Sequence, residues 1–151
     1  MLQDPAIYAF LDEAAPASLE ALEARYARMA ARESPDGTQR WLNWVISEED
    51  GPPCGYVQAT VLQEGRAWIA YVLAPDRWGR GLATRATGAM IDYLEGTLGV
   101  VRCMASVDAG NARSIALLER LAFQAAPESE AVAAGVGPGD RLFIREPRAL
   151  P

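Results

Sequence analysis

Residues 71–83 read Tyr-Val-Leu-Ala-Pro-Asp-Arg-Trp-Gly-Arg-Gly-Leu-Ala, and this segment decides the fold prediction. An apolar, strand-like run ends at Pro75, and a helical pattern begins just beyond Gly81. Between them, Gly79 and Gly81 let the backbone approach a ligand closely, because neither residue has a Cβ. The free N–H groups of the first helical turn carry partial positive charge. The segment therefore predicts an anion site, suited to a pyrophosphate, at the start of the helix.

Three arginines add full positive charge on the same side of this loop: Arg77, Arg80 and Arg85. Two other interpretations are open. Glycines between a strand and a helix often only form the turn. The run from Gly79 to Thr84 also imitates the GxGxxG of a dinucleotide-binding fold, with Asp108 at the end of the next strand. Thr84 replaces the third glycine, however, and the remaining chain is too short for a doubly wound sheet, so we rank this interpretation lower.

Upstream of the loop, the sequence predicts a helix and then antiparallel hairpins. Ser18 is a favoured helix cap, and apolar residues at helical spacing extend this helix to about Ala31. A shorter helix is expected near Ala6–Leu11. Three strand-like runs follow, separated by short glycine-containing turns that are typical of hairpins. These predicted strands are Trp41–Ile46, Cys54–Leu62 and Ala67–Leu73.

Downstream of the loop, helices and strands alternate. The predicted elements are a helix over Leu82–Leu94, a strand over Arg102–Val107, a helix from Gly110-Asn111 to about Leu121, and a strand over Arg141–Glu146. A flexible loop rich in Ala, Gly and Glu is expected before the last strand. No internal repeat or linker is present, so residues 1–151 are predicted to form one α/β domain of the α+β type, with a mixed, largely antiparallel sheet flanked by helices.

The composition excludes several classes of protein. The chain has 151 residues, a net charge of −6 and no histidine. The acidic balance argues against a general nucleic-acid binder. The lack of histidine argues against zinc sites and against Ser-His-Asp or Cys-His catalysis. No apolar run approaches the roughly 20 residues that span a bilayer, and no basic n-region of a secretory signal is present. We therefore expect a cytoplasmic protein with no metal, nucleic-acid or membrane partner and with two reduced cysteines, Cys54 and Cys103.

Two segments together resemble a known family. Val72-Leu-x-Pro75-x-x-Trp78-Gly-Arg-Gly81-Leu-Ala83 resembles the acetyl-CoA pyrophosphate motif of the GNAT N-acetyltransferases. Asn111-Ala-Arg-Ser114-Ile-Ala-Leu-Leu-Glu119-Arg-Leu-Ala-Phe123 resembles the family's next motif, the N-x-x-S…E-[KR]-x-G-F helix. The motifs lie in the expected order, and their form is most similar to the ribosomal-protein N-acetyltransferase-like branch. Members of this branch act on various amines, so the branch does not identify the substrate.

The resemblance implies acetyl-CoA as the cosubstrate and a primary amine, either a protein N-terminus or a small amine, as the acceptor. It implies that the strand ending at Leu73 splays from the strand Arg102–Val107, so that pantetheine pairs with backbone groups in the gap. The loop backbone would then hold the pyrophosphate, and Asn111, also a favoured helix cap, would support the pantetheine. The implied cofactor-binding residues are Tyr71, Val72, Leu73, Arg77, Trp78, Gly79, Arg80, Gly81, Leu82, Ala83, Thr84, Asn111 and Ser114.

The resemblance also implies direct attack of the amine on the thioester, with a backbone N–H stabilising the oxyanion. Many relatives use a tyrosine to protonate the leaving thiolate, but Leu118 stands at that position here. Ser114 is the expected substitute, although a plain helix-capping role is equally open. Glu128 and Glu130, on the loop after the second motif, are the candidate bases. Positioning alone also accelerates such a reaction, so a dedicated base is not required.

Two departures from the family pattern are visible. Ala122 stands where the family has glycine, so we expect a backbone there that tolerates a Cβ. The family's first strand is missing before the first helix, and an uncovered sheet edge predicts a possible homodimer. The alternative to an enzyme is a non-catalytic acyl-CoA-binding module, favoured by Leu118, Ala122 and the missing strand. A nucleotide-binding oxidoreductase is the third interpretation.

Overall fold

The computed structural model describes residues 2–11 and 13–147 of the chain. Six strands form one sheet in the order β1-β2-β3-β4-β6-β5. The strands are β1 (Arg40–Ile46), β2 (Gly55–Val61), β3 (Arg66–Leu73), β4 (Arg102–Asp108), β5 (Gln124–Ala125) and β6 (Asp140–Arg145). The α-helices are α1 (Leu19–Met29), α2 (Leu82–Leu98), α3 (Ala112–Arg120) and α4 (Glu128–Ala133). The predicted mixed, largely antiparallel sheet with flanking helices is confirmed.

The central pair of strands, β3 and β4, separates along its length. It is the parallel pair of the sheet, and its ladder has three residue pairs, from Arg66↔Arg102 to Trp68↔Met104. The neighbouring antiparallel pairs β2–β3 and β4–β6 continue in register to the ends of the strands, at Leu73 and Asp108. Beyond Trp68, β3 and β4 therefore diverge, and the expected gap is present.

Side chains alternate between the two faces of the sheet along each strand, and helices pack on both faces. Ile69, Cys103 and Ala105 belong to the main core, which they share with α2 and α3. Their neighbours Trp68 and Met104 point to the opposite face, where Met104 packs with Ala131 of α4. Helix α1 lies on that same face, beside Tyr56 of β2. In the described part of the chain, no helix has both the length and the apolar character to cross a membrane.

Helix α2 begins and ends at glycines in the left-handed conformation, Gly81 with φ +73° and Gly99 with φ +67°. Without a Cβ, glycine adopts this conformation at little cost. The helix continues through Gly96, so it is four residues longer than predicted. Its inner side buries Met90, Ile91 and Leu94 under the sheet.

The segment before β6 is more regular than expected. The flexible loop predicted there contains the short strand β5 and helix α4, so Glu128 and Glu130 lie on a helix. Before α1, the described backbone forms a 3-10 helix over Pro5–Tyr8, close to the short helix predicted at Ala6–Leu11. In the described residues, no strand precedes α1, and the first strand is β1. This agrees with the prediction that the family's first strand is missing before the first helix.

The expectation for Ala122 is wrong. Its φ is +63°, so alanine here adopts the left-handed conformation that glycine would adopt. Two backbone bonds explain why the chain holds it: Phe123 N–H donates to Leu118 C=O, and Ala122 N–H donates to Glu119 C=O, both at 3.0 Å. This is the Schellman ending of a helix, and the buried pair Leu118 and Phe123 supplies its usual apolar contact.

Candidate active site

A cavity of about 500 Å³ occupies the gap between β3 and β4 and passes through the sheet. On the face covered by α2 and α3, its walls are Tyr71, Leu73, Trp78, Ala83, Val107, Asn111, Arg113, Ser114 and Leu117. On the opposite face, its walls are Ala70, Val72, Ser106, Asp108, Asp140 and the N-terminal residues Ala6, Ile7, Ala9, Phe10 and Leu11. Because neighbouring strand residues point to opposite faces, two compartments meet at the splayed strands.

The backbone of β3 presents free groups to this gap at alternate residues. Ala74 N–H donates to Cys54 C=O at 2.8 Å, so Ala74 faces the β2 side. By alternation, Val72 also bonds towards β2, whereas Tyr71 and Leu73 turn their backbone groups to the gap. The Trp78 indole N–H already donates to Leu73 C=O at 2.8 Å. The β3 backbone groups left for a ligand in the gap are therefore those of Tyr71 and the Leu73 N–H, and Val72 contributes its side chain to the cavity wall.

The glycine loop, residues 77–81, leads directly into α2. Gly79 and Gly81 have φ of +74° and +73°, and the N-cap Gly81 has no side chain to cap the helix. The first helical bond runs from Arg85 N–H to Gly81 C=O. The N–H groups of Leu82, Ala83 and Thr84 precede it, so they are free of helical partners and suited to an anion.

Two of the three arginines of the loop contact an acid. Glu48, from the β1–β2 connection, forms ion pairs with both Arg77 and Arg80. Glu48 therefore partly offsets the positive charge of these two arginines. The sequence analysis, which counted all three arginines as full positive charges, did not predict this. Arg85 lies close to the loop: a Cβ added to Gly81 would lie 3.9 Å from Arg85 Nη1.

Arg113 is a further cation at the helical end of the cavity. Its guanidinium lies 3.9 Å from the centre of the Trp78 ring, a cation–π distance. Arg113 was not among the predicted site residues. Its place two residues after Asn111, on the first turn of α3, was the available signal.

Ser114 lies beside a phenol. The Tyr71 hydroxyl is 2.6 Å from Ser114 Oγ and 3.3 Å from Ser114 C=O. Burial raises the pKa of Tyr71 to about 12, although the hydrogen bond with Ser114 opposes this rise. Asn111 Oδ1 accepts the Ser114 N–H at 3.1 Å, so Asn111 is the cap of α3 as well as a cavity residue. Leu118 is fully buried in the core.

Two aspartates line the opposite compartment. Asp108 and Asp140 are direct cross-strand partners at the ends of β4 and β6. Asp140 accepts a hydrogen bond from Ser106 Oγ at 2.7 Å, and Asp108 accepts one from Gly110 N–H at 2.7 Å. Neither carboxylate forms an ion pair with an arginine of residues 2–11 or 13–147. Like charges facing each other across a sheet are unfavourable, so this pair favours a cationic occupant.

The two predicted bases lie elsewhere. Glu130 forms an ion pair with Arg102, the first residue of β4, whereas the cavity is lined by β4 residues from Ala105 onwards, about 10 Å or more along the strand. Glu128, on the same helix, is exposed and does not line the cavity. The structure therefore places Ser114, Trp78 and Ala83 in one cavity wall but leaves Glu128 and Glu130 outside it. The acids that it places at the cavity, Asp108 and Asp140, come from two strands whose register the sequence does not reveal.

The chain is similar to known acetyltransferases. The family described as "Acetyltransferase (GNAT) domain" matches residues 1–124. An uncharacterized N-acetyltransferase, p20, from Bacillus licheniformis is 42% identical over 91 residues, which are 59% of this chain and 51% of that protein. The chain thus matches about half the length of this curated relative.

Solved structures share the fold. RimJ from Mycobacterium smegmatis, in complex with CoA-disulfide, superposes with a TM-score of 0.69 and 21% identity over 89% of this chain and 65% of its own. A ribosomal-protein-alanine N-acetyltransferase from Brucella melitensis gives a TM-score of 0.68 and 18% identity over 97% of this chain and 90% of its own. At such identities these likenesses show a shared fold and nothing more. The same holds for the likeness to the predicted ribosomal-protein N-acetyltransferase-like branch. The family match covers most of the sequence, including both motifs, and from it we conclude that this chain belongs to the GNAT acetyltransferase family.

Proposed function

We propose that this chain transfers an acetyl group from acetyl-CoA to a primary amine. The observation that carries the proposal is the cavity through the splayed strands, which reaches Trp78 and Ala83, on either side of Gly79 and Gly81, on one face and the aspartate-lined compartment on the other. The residues present fit the cosubstrate: gap-facing backbone of Tyr71 and Leu73, free amides at the start of α2, and the Arg113–Trp78 pair. When bound, acetyl-CoA supplies the acetyl group as an activated thioester.

The chain's own groups have distinct roles in the proposed reaction. The amine nitrogen attacks the carbonyl carbon, the C–N bond forms, and the C–S bond breaks with its electron pair going to sulfur. The Tyr71 and Leu73 N–H groups, facing the gap, are the donors available to the oxyanion. Ser114 gives a proton to the sulfur, and Asp108 or Asp140, directly or through water, takes one from the amine. An acceptor bound as its ammonium form first loses one proton to solvent; in the step itself the neutral amine loses one proton and sulfur gains one, so the step balances.

The opposite compartment supports an amine flanked by an apolar group as the acceptor. Its two carboxylates attract an ammonium group. Its remaining wall is apolar, formed by Val72, Ala70 and the N-terminal residues, with Phe10 and Leu11 about half exposed at the edge. Both a protein N-terminus and a small arylalkyl or alkyl amine have this character. A thiol-release assay with acetyl-CoA and a panel of such amines tests this acceptor class.

Calorimetric titration of acetyl-CoA tests the cofactor site. Gly81→Glu puts a side chain and a negative charge into the glycine loop, and we expect it to abolish the micromolar binding of the wild type. Gly99→Glu is the matched control, because Gly99 ends the same helix with nearly the same φ and open space around it. The two variants share backbone strain and added charge. Equal loss of binding in both, or no binding by the folded wild type, would refute the proposal.

The alternative is a non-catalytic acyl-CoA-binding module. Two observations favour it: Leu118 replaces the family's tyrosine and is buried, and Glu48 neutralises part of the charge on Arg77 and Arg80. This alternative predicts acetyl-CoA binding with no thiol release for any amine tested. The cytoplasmic location and the homodimer also stay predictions, and sedimentation velocity tests the second.

A further inference from the structure

The contact between Tyr71 and Ser114 joins the splayed strand to helix α3 across the helical side of the cavity. Both residues line the cavity, and their hydroxyl oxygens are 2.6 Å apart. The family motif contains Ser114 but says nothing of a phenol beside it. Tyr71 is 43 residues away in sequence, so only the fold brings the two groups together.

We propose that Tyr71 is a positioning residue for Ser114: its phenol donates a hydrogen bond to Ser114 Oγ and thereby turns the serine's own O–H towards the cavity. This role rests on the proposed acetyl transfer, in which Ser114 protonates the leaving sulfur. Tyr71 itself holds its proton throughout. After the transfer, Asp108 or Asp140 releases the amine's proton to solvent and Ser114 recovers one from solvent, so the proton balance of the reaction is unchanged.

Hydrogen-bond chemistry identifies Tyr71 as the donor. Each hydroxyl has one proton, and a serine that donated to Tyr71 would have none left for the cavity. A phenol is the stronger acid of the two and therefore the better donor, whereas an aliphatic hydroxyl oxygen is the better acceptor. The Ser114 carbonyl, which can only accept, competes for the single phenol proton but lies 3.3 Å from the Tyr71 hydroxyl, so Oγ at 2.6 Å is the nearer acceptor. Burial raises the pKa of Tyr71 to about 12, so the phenol keeps its proton at neutral pH.

The rest of Ser114 is already fixed. It is the third residue of α3, and its backbone N–H donates to the cap residue Asn111. The direction of the O–H group is set by rotation about the Cβ–Oγ bond, because a hydroxyl proton turns to suit its surroundings. A neighbour that occupies the Oγ lone pair therefore decides where the proton points. Tyr71 is placed to do this.

Tyr71→Phe removes the phenol oxygen and keeps the ring, and Ser114→Ala removes its partner. We expect Tyr71→Phe to lower kcat for amine acetylation by about 10-fold or more, within the range of general acid–base effects. The dissociation constant of acetyl-CoA, measured by calorimetry, should change by less than about twofold. The double variant should be no slower than Ser114→Ala alone, because residues that act as a unit are non-additive. Tyr93→Phe, at an exposed tyrosine of α2, is the matched control and should leave kcat unchanged.

Two further measurements test the role of Tyr71 without relying on the kcat of one variant: the activity of a conservative substitution at Ser114, and the stability of the variants in urea. Ser114→Thr keeps a hydroxyl, so it should retain most activity with Tyr71 present and lose it in the Tyr71→Phe background. The shifts in urea midpoint for Tyr71→Phe and Ser114→Ala should sum to more than the shift of the double variant.

The outcomes separate this role from the proposed function. Unchanged kcat in Tyr71→Phe, or additive losses in the double variant, overturns the role of Tyr71 while acetyl transfer stands. A higher acetyl-CoA dissociation constant with normal kcat also overturns it, in favour of a binding role. A folded wild type that binds no acetyl-CoA, or binds it without turnover of any amine, refutes the proposed function and this role with it.

Discussion

Ala122 closes helix α3 in a backbone conformation that normally belongs to glycine. Its Cβ costs about 1–2 kcal/mol there, because the left-handed region brings it against the neighbouring carbonyl. We expect Ala122→Gly to raise the free energy of unfolding by about 0.5–1 kcal/mol, after the extra entropy of glycine is subtracted. Urea unfolding measures this. Ala116→Gly, in the right-handed interior of the same helix, should act in the opposite direction, and a gain in both variants would contradict the explanation.

At the other end of the site, Asp108 and Asp140 are expected to bind the ammonium group of the acceptor. Asp108→Asn and Asp140→Asn should each raise KM for the amine about 10-fold or more, since a charge-assisted contact contributes roughly 1.5–3 kcal/mol. Acetyl-CoA binding should stay unchanged, because its proposed site lies on the other face of the sheet. Asp92→Asn, on the exposed side of α2, removes the same charge and is the control. Equal effects of all three variants on the amine KM would show only an influence of net charge.

Residues whose role depends on local backbone were predictable from the sequence. A tight turn into a helix favours glycine, as at Gly79 and Gly81, and a helix cap favours asparagine, as at Asn111. Each of these residues is therefore recognisable from its immediate sequence neighbours. The contacts of Tyr71 with Ser114 and of Glu48 with Arg77 span 43 and 29 residues. Such pairs depend on strand register and side-chain rotamers, and one sequence records neither.

Three elements meet at Arg145. This residue of β6 forms an ion pair with Glu95 of α2 and donates to the C=O of Leu121, the cap residue of α3, at 2.7 Å. We expect Arg145→Met to cost about 2 kcal/mol, because it leaves a partly buried carboxylate and a carbonyl without partners. Arg145→Lys should recover only part of this, because an ammonium group cannot match the two-point contact of a guanidinium. Chemical denaturation measures both variants. Adding Glu95→Leu to Arg145→Met should restore some stability; a further loss would contradict the ion-pair explanation.

At the scale of elements, the long amphipathic segments were predicted, whereas the short elements β5 and α4 were not. Helix α2 has enough turns to show an apolar stripe, and Gly81 marks its start, whereas its end at Leu98 lies four residues beyond the predicted Leu94. Helix α4 has six residues and buries one of them, Ala131, against β6 and Met104. Six residues are too few to show a helical period, and such a helix is stable through packing more than through its own sequence.

At the scale of the whole molecule, a buried thiol and a buried phenol make the free energy of unfolding fall at alkaline pH. Burial raises the pKa of Cys103 from 9.0 to about 12 and that of Tyr71 from 10.0 to about 12. As pH rises above these unfolded values, the unfolded chain releases protons that the folded chain retains. The stability that these groups contribute is therefore complete below about pH 9 and is lost between about pH 9 and 12, at up to about 1.4 kcal/mol per pH unit for each group.

Urea unfolding over this alkaline range tests the sign. Cys103→Ala should flatten the decline from about pH 9 upwards, and Tyr71→Phe should flatten it from about pH 10 upwards. A decline of unchanged slope in both variants would assign the alkaline loss to other groups.

The cavity that crosses the sheet has a kinetic consequence. Ligands that enter from opposite faces do not compete for one entrance, and neither has to leave before the other arrives. Under the proposed function, both substrates can then occupy the protein at once, and initial rates at several fixed amine concentrations should give intersecting double-reciprocal lines. Parallel lines would instead indicate a covalent acetyl-enzyme formed in the absence of the amine. Coenzyme A should compete with acetyl-CoA but not with the amine, so product inhibition identifies the face to which each substrate belongs.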